Sequence, residues 1–322
     1  MPPTKLILAK PRGFCAGVER AIDVVEIALT LYPGPIYVRK EIVHNKHVVE
    51  ALRAKGAVFV EELSEVPDGA RVIFSAHGVS PDVWTLAESR QLKVIDATCP
   101  LVTKVHHEAV RYAKEGRTII LVGHEGHDEV IGTMGEAPLH IQLVGSAEEA
   151  ERLSLPDPAK VAVITQTTLS VDDTKAVIDV LKRRFPSMKV PAGEDICYAT
   201  QNRQTAVKQM AERAQLLLVI GSDNSSNSNR LKEVAEALGT KAYLIDDVDQ
   251  INPAWLEGVD CVGITAGASA PEYLVQDVLA FFRKLGVTDV EEIEAVKEEV
   301  SFALPQELGV DQAAKPVADR LA

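Results

Sequence analysis

The chain has 322 residues, of which 25% are charged and 46% hydrophobic, as in ordinary globular proteins. Its length predicts two or three domains. A formal charge of −13 and 5% aromatic residues argue against nucleic-acid binding, which needs basic surfaces and often stacking rings. The longest apolar runs, such as 216–220, are far shorter than the roughly 18 residues that span a membrane, and the patch 6–9 is too short for a signal peptide. We therefore expect a cytoplasmic protein that contacts neither nucleic acid nor membrane.

Strand-like and helix-like segments alternate along the chain. Helical periodicity separates the predicted strands, for example over 171–185 and 231–238. This alternation predicts α/β layers with mainly parallel sheets, in which ligands gather at the carboxyl ends of the strands. The predicted strands are short apolar or β-branched runs that end in polar or glycine-rich turns, at 5–9, 36–39, 72–75, 118–122, 161–165, 216–220 and 261–265.

Three of the four cysteines share one position relative to these elements. Cys15, Cys99 and Cys197 each come just before a predicted helix, over 18–29, 102–112 and 202–214 respectively. Cys261 lies inside a strand run, and we expect it in the core. No two cysteines form a CxxC pair, and a cytoplasmic chain does not favour disulfides. The three helix-start cysteines are therefore candidates for a shared site.

The same order of features returns three times. A polar turn follows each of these cysteines at nearly constant spacing, and a second small-polar turn recurs at 75–82, 165–172 and 265–272. The spacings are 29 residues from Cys15 to His44, 28 from Cys99 to His127 and 30 from Cys197 to Asn227. We infer three related α/β domains at 1–97, 98–195 and 196–281, in pseudo-threefold arrangement, followed by an acidic tail at 282–322 with an amphipathic start over 290–300.

Packing three such domains around one axis would bring the three cysteines together. Three thiolates suit either zinc or an iron–sulfur cluster. A structural zinc site normally has four protein ligands, whereas a cubane cluster held by three cysteines leaves one iron open as a Lewis acid. The prediction is a central iron–sulfur cluster, with zinc as the alternative.

The polar turns would surround the same centre with hydrogen-bond donors close to helix N-termini, where anions and above all phosphates bind. No Walker or GxGxxG motif is present, so this is not a standard nucleotide loop. Glu129, two residues after His127, is the candidate general acid, with Thr167 as a possible relay. His47 and His124 remain open between a structural and a functional role. The candidate donors are His44, His77, His127, Thr167, Thr168, Ser225, Ser226, Asn227 and Ser269.

Long motifs in the chain resemble the 4-hydroxy-3-methylbut-2-enyl diphosphate reductase family, from the methylerythritol phosphate route to isoprenoids. The resemblance runs from about residue 6 to residue 285. It is carried by PRGFCAGV at 11–18, DATCP at 96–100, GHDE at 126–129, GTMG at 132–135, TQTTLS at 165–170, ICYATQNR at 196–203, SSNSNR at 225–230 and TAGASAP at 265–271.

The resemblance implies one 4Fe–4S cluster per chain, held by Cys15, Cys99 and Cys197. It implies that the substrate diphosphate is held by His44, His77, His127, Ser225, Ser226, Asn227 and Ser269. Glu129, Thr167 and His127 would assist removal of the allylic hydroxyl as water, with two electrons from ferredoxin or flavodoxin. The products would be isopentenyl and dimethylallyl diphosphate. Three other functions stay open from the residues alone: an iron–sulfur hydro-lyase, a non-catalytic iron–sulfur redox sensor, and a zinc-stabilised binding protein.

Overall fold

The computed structural model describes residues 3–191 and 193–308. Strands and helices alternate through these ranges, and none of the helices there is long and apolar enough to cross a membrane. In chain order the elements are β1 (Lys5–Lys10), α1 (Ala16–Leu31), β2 (Ile36–Arg39), α2 (Lys46–Ala54), β3 (Ala57–Val60), β4 (Arg71–Phe74), α3 (Pro81–Ser89), β5 (Lys93–Asp96), α4 (Pro100–Lys114), β6 (Thr118–Val122), α5 (Asp128–Glu136), β7 (Ile141–Val144), α6 (Ala147–Arg152), β8 (Val161–Thr165), α7 (Val171–Arg184), α8 (Tyr198–Ala211), β9 (Leu216–Ile220), α9 (Ser226–Ala237), β10 (Lys241–Ile245), β11 (Cys261–Ala266), α10 (Glu272–Lys284) and β12 (Asp289–Glu294).

The strands form three sheets, and every strand pair within them is parallel. The strand orders are β3-β2-β4-β5, β7-β6-β8 and β10-β9-β11-β1-β12. Every residue of β8 and β9 is buried, as expected for parallel strands covered by helices on both faces. The predicted fold class, three α/β units with mainly parallel sheets, is confirmed.

The first strand, β1, belongs to the five-stranded sheet rather than to the sheet of β2–β5 that follows it in the chain. Leu6 and Leu8 pack into one core of the five-stranded sheet, whereas Ile7 packs into the core on its other face. Helix α1 instead packs against β2, with Val24 and Val25 in the same core as Val38. The first unit is therefore α1 with β2–β5, the second is β6–β8 with its helices, and the third is β1 with β9–β12. The predicted range 1–97 differs from this grouping at β1, and the predicted domain boundaries remain a proposal.

The segment predicted as a tail contains a strand after the end of α10. β12 runs along β1 in register from Lys5 opposite Asp289 to Lys10 opposite Glu294. The chain then passes α8 and α1, where Glu298 accepts from Arg203 and the carbonyl of Ala303 accepts from Arg20. We call residues 295–304 the C-terminal strap. Two charged anchors thus hold this strap beside the site described next.

Candidate active site

Each of the three repeated cysteines is the N-cap residue of a helix. Cys15 caps α1, Cys99 caps α4 and Cys197 caps α8, all with extended backbone. Each backbone N–H also donates to a carbonyl in the polar turn of a neighbouring unit, and the three side chains line one cavity. The acceptors are Ala268 for Cys15 at 3.2 Å, Ala76 for Cys99 at 3.0 Å and Thr167 for Cys197 at 3.0 Å. The three units therefore present their thiols at one place, and we call this part of the cavity the thiol half.

The space between these thiols suits a group that binds sulfur. A Cβ added to Gly17 would lie 2.8 Å from Cys99 Sγ and 3.8 Å from Cys15 Sγ, so the glycine keeps the space beside both sulfurs clear. Burial raises the pKa of all three thiols, to about 12 for Cys99 and about 11 for Cys197. A metal or cluster bound here would displace these protons, because thiolate is the ligand form. Three soft donors without a fourth fit an iron–sulfur cluster better than a structural zinc site.

The opposite part of the cavity carries polar donors, and we call it the donor half. The rings of His44 and His77 stack with centroids 4.0 Å apart, and the His127 ring stands edge-on 5.4 Å from His44. Burial is the main cause that lowers the pKa of His77 well below its usual value and that of His127 to about 4, with neighbouring histidines adding to the effect. A bound anion would reverse that effect because it favours the protonated rings.

Each histidine of the donor half has Nδ1 in contact with the protein, and for His127 the direction of that hydrogen bond is fixed. His127 caps α5, and its Nδ1 accepts from the backbone N–H of Glu129 at 3.1 Å. The neutral ring therefore carries its proton on Nε2, facing away from the helix. His44 Nδ1 lies 3.1 Å from Glu41 Oε2, and His77 Nδ1 lies 3.2 Å from Ser75 Oγ. Each histidine thus has one ring nitrogen engaged with the protein.

The start of helix α9 contributes the small polar side chains. Ser225 caps the helix, and Asn227 lies in its first turn with 5% of its surface exposed. Neither side-chain atom of Asn227, Oδ1 or Nδ2, has a hydrogen-bond partner among the described residues. Ser269 Oγ donates to the His44 carbonyl at 2.9 Å. Ser225 Oγ lies 3.5 Å from Ser269 Oγ. A buried amide without partners that lines a cavity is well explained by a polar ligand that completes it.

The buried carboxyl of Glu129 lies between the two halves. Its Oε1 accepts from the Thr167 backbone N–H at 2.6 Å, and its Oε2 lies 2.9 Å from Thr167 Oγ1, which donates to it. Glu129 is 2% exposed, and burial raises its pKa to about 7 although both Thr167 contacts oppose the shift. A pKa raised toward neutrality makes both the protonated and the ionised carboxyl accessible, which suits a group that gives and regains a proton.

A second possible metal group lies within the donor half. Ligand atoms of His44, His77 and Asp128 fall within 4.8 Å of one another. Asp128 is already paired with Lys40, however, so a cation here would have to compete with an ammonium group. The thiol half is thus the better place for a metal-containing group among the described residues.

All thirteen residues singled out from the sequence line this one cavity. Their functional roles remain predictions. Phe302 of the C-terminal strap, Tyr198 and Thr200 line it too but were missed. Thr200 Oγ1 lies 3.1 Å from Cys197 Sγ, and its position three residues after a capping cysteine is the signal that could have found it. The thirteen are Cys15, Cys99, Cys197, His44, His77, His127, Glu129, Thr167, Thr168, Ser225, Ser226, Asn227 and Ser269.

The residues left aside by the spacing argument lie elsewhere. Cys261 begins β11 and packs partly buried against the core of the five-stranded sheet. His47, undecided from the sequence, has Nε2 3.3 Å from Asp247 Oδ2. His124, also undecided, donates its backbone N–H to Gln166 Oε1. None of the three lines the cavity.

The fold and the cavity define an α/β protein of three units, in which three cysteine-capped helices and a set of polar side chains meet at one cavity. A model of the LytB protein family matches residues 6–283. The chain belongs to this family.

Related proteins carry one activity in their names. A protein of Acidothermus cellulolyticus named 4-hydroxy-3-methylbut-2-enyl diphosphate reductase is 59% identical over 309 residues, which cover 96% of this chain and 91% of that protein. The protein of the same name in Streptomyces coelicolor is 55% identical and covers 99% and 96%. The structure of the E-1-hydroxy-2-methyl-but-2-enyl-4-diphosphate reductase of Plasmodium falciparum matches with a TM-score of 0.91 and 39% identity, over 95% of this chain and 97% of that one.

Proposed function

We propose that this protein is a reductase that converts (E)-4-hydroxy-3-methylbut-2-enyl diphosphate to isopentenyl and dimethylallyl diphosphate. The net reaction consumes two electrons and two protons. One proton leaves with the hydroxyl as water, and the other is added to carbon at either end of the allylic fragment. The observation that carries the proposal is one cavity that places three partly buried cysteines, a buried carboxyl of raised pKa and a set of polar side chains able to donate hydrogen bonds together.

We propose that Cys15, Cys99 and Cys197 hold one 4Fe–4S cluster per chain. The support is a set of three thiols with no fourth cysteine in the cavity lining, together with the cleared space at Gly17. When bound, such a cluster supplies electrons one at a time and an iron without a protein ligand that can polarise a hydroxyl.

The donor half holds the diphosphate in this proposal. Asn227 offers an unpaired amide, and Ser225 offers a hydroxyl at the start of α9. Ser269, in the turn after β11, can donate to the anion when its hydroxyl rotates away from the His44 carbonyl. His127 donates from Nε2, and His77 gains a proton when the anion raises its pKa. Hydrogen bonds to a charged group contribute about 1.5–3 kcal/mol each, so several of them can hold a diphosphate after the cost of ordering it.

Glu129 holds the proton that reaches the departing hydroxyl. Its side chain is held at both oxygens by Thr167. When Oε2 carries the proton, it donates to Thr167 Oγ1, and the threonine hydroxyl turns to donate its own proton to a ligand in the cavity. His127 is coupled to the same helix turn through the Glu129 backbone. Burial keeps bulk water from competing for this proton, and it raises the pKa toward the range in which transfer is efficient.

Electrons would come from a small one-electron carrier such as ferredoxin or flavodoxin. A reducing compartment, for which we propose the cytoplasm, would keep the thiols available, and Cys15, Cys99, Cys197 and Cys261 are all unpaired.

The test is an anaerobic assay with dithionite-reduced methyl viologen and the hydroxylated diphosphate. We expect two dye molecules to be oxidised for each substrate molecule lost, with both isomers as products. A hydro-lyase would consume substrate without oxidising dye, and a redox sensor would consume none. Either result would contradict the proposed reaction.

A further inference from the structure

Each helix capped by a cysteine carries one basic residue a turn and a half further on. Arg20 lies in α1 five residues after Cys15, Lys104 lies in α4 five residues after Cys99, and Arg203 lies in α8 six residues after Cys197. All three direct hydrogen bonds to the segment that leads into a different cysteine. Each of these side chains therefore links its own helix to the segment that precedes another cysteine.

Arg20 reaches the segment before Cys99. Its Nη1 donates to the carbonyl of Thr98 at 3.1 Å and its Nη2 to that of Asp96 at 3.4 Å. Its Nε also donates to the carbonyl of Ala303 in the C-terminal strap at 2.7 Å. This side chain therefore ties helix α1 to the residue that directly precedes the next thiol.

Lys104 reaches the segment before Cys197. Its Nζ donates to the carbonyl of Glu194 at 3.0 Å, to that of Gly193 at 3.4 Å and to Asp195 Oδ1 at 2.9 Å. The Asp195 side chain is fully buried, and its other oxygen accepts from the backbone N–H of Thr165 at 3.0 Å. Helix α4 is in this way held to the approach of the third thiol.

Arg203 reaches the segment before Cys15, the first of the three cysteines. Its Nη2 donates to the carbonyl of Gly13 at 2.6 Å and to that of Phe14 at 3.1 Å, and its Nε donates to Gly13 as well. The side chain is 0% exposed, and its Nη1 pairs with Glu298 of the strap at 3.0 Å. Burying an arginine is costly unless every donor finds a partner, so this arrangement is held by many contacts at once.

We propose that Arg20, Lys104 and Arg203 are positioning residues that form a closed ring of links among the three cysteine-bearing segments. The links run from the Cys15 helix to Cys99, from the Cys99 helix to Cys197 and from the Cys197 helix back to Cys15. This inference rests on the proposed cluster, since a three-thiol site binds a rigid group only if all three sulfurs are held at fixed separations.

In a closed ring of three links, the loss of two links should have a larger effect than the two single losses predict. Removing one link leaves every segment joined to the others through the remaining two. Removing two links that share a segment frees that segment. The effects of two such substitutions should therefore exceed the product of the single effects, whereas unrelated structural contacts combine multiplicatively in a rate.

The test uses Arg20→Met, Lys104→Met and the double variant, which frees the Cys99 segment and leaves the fully buried Arg203 in place. The measurement is the rate of iron release from the anaerobically loaded full chain to a ferrous chelator. We expect each single variant to release iron about 2–10-fold faster, as the loss of one net hydrogen bond would allow. The fold-increase in the double variant should exceed the product of the two single fold-increases. Arg111→Met is the matched control, because that side chain lies on α4, is half exposed and faces Glu108 at 3.8 Å.

A second readout does not need iron. Dibromobimane becomes fluorescent when it links two nearby thiols, so its reaction with the iron-free chain reports how the cysteines are held. We expect linking that involves Cys99 to slow in the double variant while far-ultraviolet circular dichroism stays that of the wild type. Arg20→Lys should restore part of both signals because it keeps one donor.

The proposed ring of links would be wrong if all variants released iron at the wild-type rate. It would also be wrong if the fold-increase in the double variant equalled the product of the two single fold-increases. A wild-type chain that takes up no iron and sulfide would instead overturn the proposed cofactor. The thiol-linking measurement would still decide in that case whether the ring holds the three cysteines.

Discussion

The two halves of the cavity are built on different plans. The thiol half repeats one device in all three units: a cysteine caps a helix, and its N–H donates to the turn of a neighbouring unit. The donor half breaks that symmetry, since the first two units contribute histidines and the third contributes serines and an asparagine. A cluster is close to symmetric and a diphosphate ester is not. The symmetric device thus suits the proposed cofactor, and the departure from symmetry would give the proposed substrate one orientation.

Loss of one thiol is the largest effect that this comparison predicts. Cys99→Ser should abolish the visible absorption of the anaerobic protein and lower turnover by more than ~100-fold, beyond what loss of a supporting partner costs. Cys261→Ser is the matched control, because this cysteine lies outside the cavity, and it should keep both properties. Wild-type iron content in the Cys99 variant would break the proposed division between the two halves.

Glu129→Gln should give the next largest loss. Turnover should fall by roughly 10²–10⁴-fold because the amide cannot supply the proton, while cluster absorption and substrate affinity remain. Glu125→Gln, an exposed position in the turn just before α5, should behave as wild type. In the wild type, turnover should decline as the pH rises through about 7, where the pKa of this carboxyl lies. A Glu129 variant with near-normal turnover would remove this residue from the acid role.

Substitution of Asn227 separates binding from chemistry. Asn227→Ala removes the unpartnered amide and should weaken substrate binding by roughly 10–100-fold, as the loss of a hydrogen bond to a charged group does. Asn227→Asp should weaken it further, because a carboxylate would face the diphosphate. Isothermal calorimetry on the anaerobic protein measures both, and the cluster absorption should be unchanged. Equal affinity of wild type and Asp variant would place the diphosphate elsewhere.

The smallest predicted effect is uptake of protons when the diphosphate binds. The pKa values of His77 and His127 lie below the usual value, so both rings are largely neutral near pH 6 without ligand. The anion raises these pKa values, and binding at that pH should then take up protons. Calorimetry in two buffers with different ionisation enthalpies should give different apparent enthalpies. Identical values would show that the histidines bind the ligand without a change in protonation.

The sequence predicts the thiol half better than the sheets. Spacing and helix starts alone bring together three cysteines that lie far apart in the chain. The omitted strands β3, β5, β7, β10 and β12 all lie at sheet edges, where one side lacks a strand partner and the apolar run is shorter or interrupted. Local pattern also does not say which sheet a strand joins. The apolar run of β1 predicts a buried strand, but its pairing with β11 and β12 depends on residues more than 250 positions away.

The same limit applies to the strap. Phe302 reaches the cavity because Arg20 and Arg203 hold the strap across the cysteine-bearing helices, and nothing in residues 295–304 by themselves indicates this. His127 and Glu129, by contrast, are found from spacing, because a helix start fixes where side chains two residues apart can reach. Helix starts and short spacings can be predicted from the sequence, whereas contacts between residues far apart in the chain are known only from the structure.

The central claim is that one cavity holds the cluster and the diphosphate side by side. The most direct test is to load the protein anaerobically, count iron, sulfide and zinc, and follow the visible spectrum while the hydroxylated diphosphate is added. We predict iron and sulfide in equal amounts and a spectral change that saturates together with calorimetric binding. Zinc in place of iron, or substrate that binds without moving the spectrum, would contradict the account.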